Sequence, residues 1–185
     1  MDLIKIENAV KDIIEAIGEN PNREGLQLTP SRIALMYQEI FSGINKNPED
    51  YIEVFKEEHH EELVLVKDIP FYSICEHHFL PFYGKAHIAY IPKEGRITGF
   101  SKLVQVIEVI SSRPQLQERI VKETADTIMN VLNPHGVAVV IEAEQMCMSM
   151  RGIKKPGSIT VTSAMRGAFM NSPALRQEFL SLINK

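Results

Sequence analysis

The feature that most limits what this chain can fold into is a change of hydrophobic period near Leu63. Before it, apolar residues recur at helical spacing. Ile6, Val10, Ile13, Ile14 and Ile17 form one stripe, and Gly18 is a stop. Residues 19–28 are polar and turn-rich. Thr29 reads as an N-cap with Pro30 at the first helical position, where a missing N–H costs nothing. Ile33, Met36, Tyr37 and Ile40 are the expected buried face of this second helix, which ends near Gly43. Residues 44–61 form a polar connector with the charge run EVFKEEHHEE, in which His59 and His60 read as solvent-exposed.

After Leu63 the pattern becomes extended. LVLV, a short segment through Phe71 and Ile74, and GKAHIAYI read as strands, and Gly95 marks a turn. Ser101 is placed to cap a helix carrying Leu103, Val106, Ile107 and Ile110. Arg113-Pro114 breaks it, and a longer helix buries Leu116, Ile120, Ile128 and Leu132. Gly136 reopens strand character in VAVVIEA, with QMCMSMR continuing it. Ser158 to Ala164 alternates again. Ser172 and Pro173 start a last helix, with Leu175, Phe179 and Leu182 inward. This order predicts an α+β fold whose antiparallel sheet is covered on one face. Residues 1–61 form an N-terminal helical region, and 62–185 the α+β domain.

Composition narrows the function. The chain has 185 residues, enough for one domain with a small appendage. A formal charge of -4 lacks the basic field of a general nucleic-acid binder. No apolar run approaches the roughly 20 residues of a membrane span. The start, MDLIKIENAVKD, lacks the features of a signal peptide. A cytoplasmic location is therefore expected, where a structural disulfide is not. Each of the two cysteines is then core filler, a reactive thiol or a metal ligand.

Cys75-Glu76-His77-His78 sets a cysteine and a histidine at a spacing that lets both reach one tetrahedral metal. A buried thiol beside surface histidines fits the same spacing. Cys147 lies in QMCMSMR, where strand alternation would put Met146, Met148 and Met150 on one face. Gln145, Cys147, Ser149 and Arg151 would then share the other. That second face is polar enough to face a site, or simply solvent. Thiolate, imidazole and thiolate with an open fourth position is a catalytic zinc pattern, and His77 is placed to move protons or to close the site as a fourth ligand.

Arg32, Lys102 and Arg151 sit where an anion would be welcome: two near helix starts, one on the cysteine face. Lys85, Lys154 and Lys155 read as surface lysines. Gln117 and Glu118 in RPQLQERI offer the amide and carboxylate that a purine edge requires, although a solvent-exposed pair is the plainer alternative. His87 reads as either a packed sheet residue or a pocket residue. Asp68 and His135 receive no assignment.

The segments NREGLQLTPSRIALMYQEIFSG, CEHHFLPFYGKAHIAYIP, TGFSKLVQVIEVISSRPQLQERI, EAEQMCMSMRG and TVTSAMRGAF together resemble the GTP cyclohydrolase I family over nearly the whole chain. The resemblance implies conversion of GTP and water to 7,8-dihydroneopterin triphosphate and formate, the entry to folate or tetrahydrobiopterin. It implies Zn2+ on Cys75, His78 and Cys147, with a zinc-activated water attacking guanine C8. Glu118 and Gln117 would bind the base and Ser101 the ribose. Lys102, Arg151 and Arg32 would hold the triphosphate, and His77 would transfer protons. The implied fold is an antiparallel four-stranded sheet with two helices packed on it and N-terminal helices added. Five such sheets close into a barrel and two pentamers stack, so that the partners are further copies of the chain and the sites lie between subunits.

Two positions depart from that pattern. Gln145 stands where the family has a histidine credited with acid–base work at ring opening, and a glutamine does not titrate near neutrality. Gln105 replaces an arginine that contacts the triphosphate. Leu28 replaces a commonly acidic residue, from which nothing functional follows. These departures keep other outcomes open. The reaction could stall at a ring-opened formamide, another purine nucleotide could be the substrate, or the chain could be a non-catalytic zinc-stabilised regulatory protein.

Overall fold

In the computed structural model, which describes all residues except Glu58, His59 and Lys185, the chain divides into Met1–Ser42 and Gly43–Lys185. The division expected after residue 61 therefore falls earlier. Ile52 explains this: it is buried in the core of the second unit and brings the 3-10 turn Pro48–Tyr51 with it. The exposure expected of His59 lies outside the described residues.

The first unit is a pair of packed helices, α1 (Leu3–Ala16) and α2 (Thr29–Ile40). Asp2 caps α1 by accepting the Lys5 N–H at 3.0 Å. Val10 and Ile14 are buried as expected, but Ile13 and Ile17 are exposed. Thr29 is the first residue of α2 and not its cap, which is Leu28 without a side-chain hydrogen bond. The buried residues of α2 are Pro30 and Ala34, while Met36 is exposed.

The second unit is built on a five-stranded sheet of order β5-β2-β3-β6-β7. Its long strands are β2 (Val64–Cys75), β3 (Pro81–Ile91), β6 (Gly136–Gln145) and β7 (Ile159–Gly167), paired antiparallel with one another. The strands β1 (Phe55–Lys56) and β4 (Arg96–Ile97) pair separately. The four-stranded sheet expected from the sequence gains β5 (Pro114–Gln115), a short parallel strand that pairs Gln115 with Cys75. It joins α3 (Phe100–Ser111) to α4 (Gln117–Leu132). Gly99 is the N-cap of α3, so Ser101 lies inside the first turn and not at its boundary.

Both α3 and α4 cover one sheet face. Phe82, Ile88 and Tyr90 of β3 and Val137, Val139 and Ile141 of β6 meet Leu103, Ile107, Ile120 and Ile128 there. The other face is not bare, as one-sided coverage would have it. The helices α6 (Ala168–Asn171) and α7 (Pro173–Ile183) bury Phe169 and Phe179 against Ala89, Ala138 and Val140. This two-sided burial is why HIAY reads as an almost continuous apolar run. Gly84 allows β3 to lie close to β6, since a Cβ there would strike the Glu142 carbonyl oxygen.

A bulge in β2 falls between Val66 and Ile69, with Asp68 at φ +57°. The Asp68 N–H donates to His87 Nδ1 at 3.2 Å. His87 is thus a packed sheet residue and not a pocket residue.

QMCMSMR does not continue β6. The strand stops at Gln145, whose partner is Phe82, and the next position on β3 is Pro81 at the strand's start. Proline offers no N–H to extend the ladder. Residues Met146–Ser149 instead form the one-turn helix α5. Alternation therefore fails, and Met150 is exposed.

Candidate metal centre and adjoining cavity

The turn after β2 places the first two candidate ligands. The Cys75 N–H donates to the Leu80 carbonyl and the Phe79 N–H to the Cys75 carbonyl, both at 2.9 Å. Phe79 turns the chain at φ +53°. Cys75 is buried, while His77 and His78 are exposed and set edge to face at 6.3 Å. Cys147 arrives at the same end of the sheet on α5, just after β6 stops opposite Phe82. Ligand atoms of Cys75, His78 and Cys147 all lie within 4.8 Å of one another. The cysteines belong together for this reason, and not because of the strand face inferred from QMCMSMR.

The donor set suits a divalent metal. Burial and the neighbouring Cys75 push the Cys147 thiol up from its ordinary value. A cation beside the Cys147 thiol reverses that penalty and favours the thiolate. Two sulfurs and one imidazole at tetrahedral reach match zinc chemistry and leave a fourth position open.

Beside the triad is a cavity of about 200 Å3 lined by Cys75, His77, Gln117, Glu118, Gln145 and Cys147 among others. Glu118 lies in the first turn of α4, where the helix dipole favours its charge. Its carboxylate is exposed and has no side-chain partner among the described residues. Gln117 is buried, contrary to an exposed pair. Its amide is fully spent on the protein. Nε2 donates to the Ile141 and Thr160 carbonyls at 3.0 Å each. Oε1 accepts from Thr160 Oγ1 and Gln145 Nε2 at 2.8 Å each. Two fixed carbonyls thus decide which way Gln117 points, and Gln117 decides the orientation of Gln145. The Gln145 Oε1 remains as the acceptor.

Arg151 is exposed, with Nη1 2.7 Å from His78 Nε2. A guanidinium only donates, so that ring nitrogen accepts. Ser101 and Lys102, at the start of α3, do not line the cavity. Lys102 Nζ is paired with Glu53 at 2.6 Å. Arg32 is exposed in the first turn of α2, in the N-terminal unit.

Sequence reasoning missed Thr160 and Thr162, which line the cavity. The hydroxyl of Thr162 is buried without a hydrogen-bond partner among the described residues. The signal was present: period two in TVTSA puts both threonines on the face of buried Ala164. Glu76 was missed as well. Its hydrogen bond to Arg119 lowers the Glu76 carboxyl from its ordinary value.

A family model described as GTP cyclohydrolase I matches residues 6–184. A protein named GTP cyclohydrolase 1 from Clostridioides difficile (strain 630) is 64% identical over 184 residues, covering 99% of this chain and 97% of that protein. Its namesake from Pelotomaculum thermopropionicum is 63% identical over 182 residues, covering 98% of this chain and 97% of its own. A solved structure, the apo form of the archaeosine synthase QueF-Like, is similar at 17% identity and TM-score 0.45 over 57% of this chain and 94% of its own.

Proposed function

Because this chain belongs to the GTP cyclohydrolase I family, we propose that it opens the guanine ring of GTP at C8 and forms 7,8-dihydroneopterin triphosphate and formate, using zinc on Cys75, His78 and Cys147. The observation that carries the metal and its place in the reaction is the convergence of those three ligand atoms beside the cavity that holds Glu118. Bound there, zinc lowers the pKa of a coordinated water toward ~7 and supplies the nucleophile.

The chain's own residues do the rest. Glu118 accepts from the N–H groups on the pyrimidine edge of the guanine. Gln117 shapes the wall and orients Gln145, since its own amide has no bond left to give a substrate. His77 moves protons at the mouth. Gln145 Oε1 accepts a hydrogen bond from a water or a substrate N–H and fixes its direction without taking the proton. Arg151 and Lys102 bind the triphosphate, and Ser101 the ribose.

Ser101 and Lys102 lie outside the cavity lining, and β7 is an edge strand carrying exposed Ile159 and Val161. Such an edge calls for a partner. Both features favour sites completed between copies in a closed oligomer, with the decamer as the expected form.

Formate release and pterin fluorescence, followed together after adding GTP and zinc, test the proposal. Both products support it, and unchanged GTP overturns it. Gln145 favours one second reading, in which the ring opens but the formamide persists. A new nucleotide without formate would establish that reading.

A further inference from the structure

Cys147 and Arg151 are carried by an excursion that leaves the sheet at Gln145 and rejoins it at Ile159. Residues 150–158 are exposed, so apolar packing does little to fix them. Gly152, Lys154 and Gly157 all have positive φ, at 61°, 50° and 78°. Backbone bonds close parts of it, with the Met150 N–H on the Met146 carbonyl at 3.0 Å and the Lys155 N–H on the Met148 carbonyl at 2.9 Å.

One side chain ties these parts to the sheet. Glu144 Oε1 accepts from Ser149 Oγ at 2.6 Å and from the Gly157 N–H at 3.1 Å. Its Oε2 accepts from the Tyr83 hydroxyl at 3.3 Å. Tyr83 is the cross-strand partner of Glu144, and its ring stacks on Tyr72 at 6.0 Å. The carboxylate therefore has one oxygen on the sheet and the other on two points of the excursion, one on either side of Arg151.

We propose that Glu144 is a positioning residue that closes the 146–157 excursion and thereby sets Cys147 at metal distance from Cys75 and His78. This rests on the metal reading above. A carboxylate suits the task because its two oxygens offer several acceptor sites, and bonds to an ionised acceptor are short and strong. Without that closure the excursion must be ordered when the metal binds, and the lost freedom weakens binding. The hydroxyl of Ser149 and the Gly157 N–H hold the Glu144 carboxyl below its usual range, so it is ionised at neutral pH.

Full-length wild type, Glu144→Ala, Glu144→Gln and Ser149→Ala are loaded with zinc or cobalt. Affinity is read by chelator competition, and thiolate coordination by cobalt absorption. Thermal melting reports on folding. Glu144→Ala is expected to weaken metal affinity about 10- to 100-fold, the range of other groups that orient metal ligands. Glu144→Gln is expected to retain most of it, because the amide oxygen still accepts from Ser149 and Gly157. A folded Glu144→Ala protein with wild-type affinity overturns the proposal, as does equal loss in both Glu144 variants. Should Glu144→Ala not fold, Ser149→Ala decides: weakened affinity supports the closure and unchanged affinity overturns it. A wild type that binds neither metal removes the metal reading itself, which separates the two failures.

Discussion

Arg119 holds Glu76 with both arms of its guanidinium, Nη1 to Oε2 at 2.6 Å and Nη2 to Oε1 at 3.1 Å. Nη1 also reaches Gln115 Oε1 at 3.2 Å. Glu76 follows Cys75, and Arg119 follows Glu118. The pair therefore joins the turn that carries the candidate metal ligands to the helix start that carries Glu118. Arg119→Lys keeps the charge but cannot fork. We expect kcat/KM to fall roughly 10-fold, as for other groups that orient metal ligands. Steady-state kinetics of Arg119→Lys check this, and an unchanged kcat/KM would count against the link.

Gln145 cannot exchange a proton, and its orientation is set by Gln117. Gln145→His supplies a titratable group at the same place. Formate release is expected to rise about 100-fold or more, the usual contribution of a positioned acid–base group. KM should move little, because Glu118, the proposed base-binding residue, is unaltered. A histidine variant with no gain in kcat would show that proton transfer there does not limit the reaction.

Lys102 is already paired with Glu53, at 2.6 Å. For Lys102 to hold a triphosphate, as proposed, it must leave that carboxylate. Glu53→Gln removes the competitor, and KM for GTP is expected to fall by about 2- to 5-fold, the scale of an exposed ion pair. The gain should fade with added salt, because the competition is electrostatic. A salt-independent KM equal to wild type would argue that Lys102 does not meet the triphosphate.

Burial holds His87 below the ordinary histidine value of 6.5, with Lys85 and Lys67 adding to the lowering and Asp68 and Glu142 opposing it. Only a neutral ring accepts the Asp68 N–H at Nδ1. The unfolded chain therefore takes up this proton at a higher pH than the folded chain. The His87 contribution is complete above pH 6.5 and is lost as pH falls from there toward the depressed folded value. Urea midpoints measured from about pH 7.5 to 5.5 should fall more steeply for wild type than for His87→Gln. Parallel curves would refute the assignment.

Much of this protein was legible in its sequence. The change from helical to alternating period, with Gly and Pro at the breaks, set the α+β class and the four long strands. The Cys75–His78 spacing named two of the three candidate metal ligands, and the polar context of Cys147 together with the family motifs named the third. These are local signals, in which residues a few positions apart act on one turn or one face. What lay beyond them needed contacts between distant segments. Alternation put Cys147 and Arg151 on one strand face, but a strand needs a partner. Pro81 at the start of β3 ends the pairing, so α5 forms instead. Gln117 looked like a surface amide until α4 packed on β6 and β7 and gave it four bonds to the protein. The orientation of Gln145 then follows from two backbone carbonyls, Ile141 and Thr160, that no local pattern connects to it. The sequence by itself determined which chemistry the chain carries. Only the tertiary structure decided which way those groups face, because a hydrogen-bond network is satisfied as a whole or not at all.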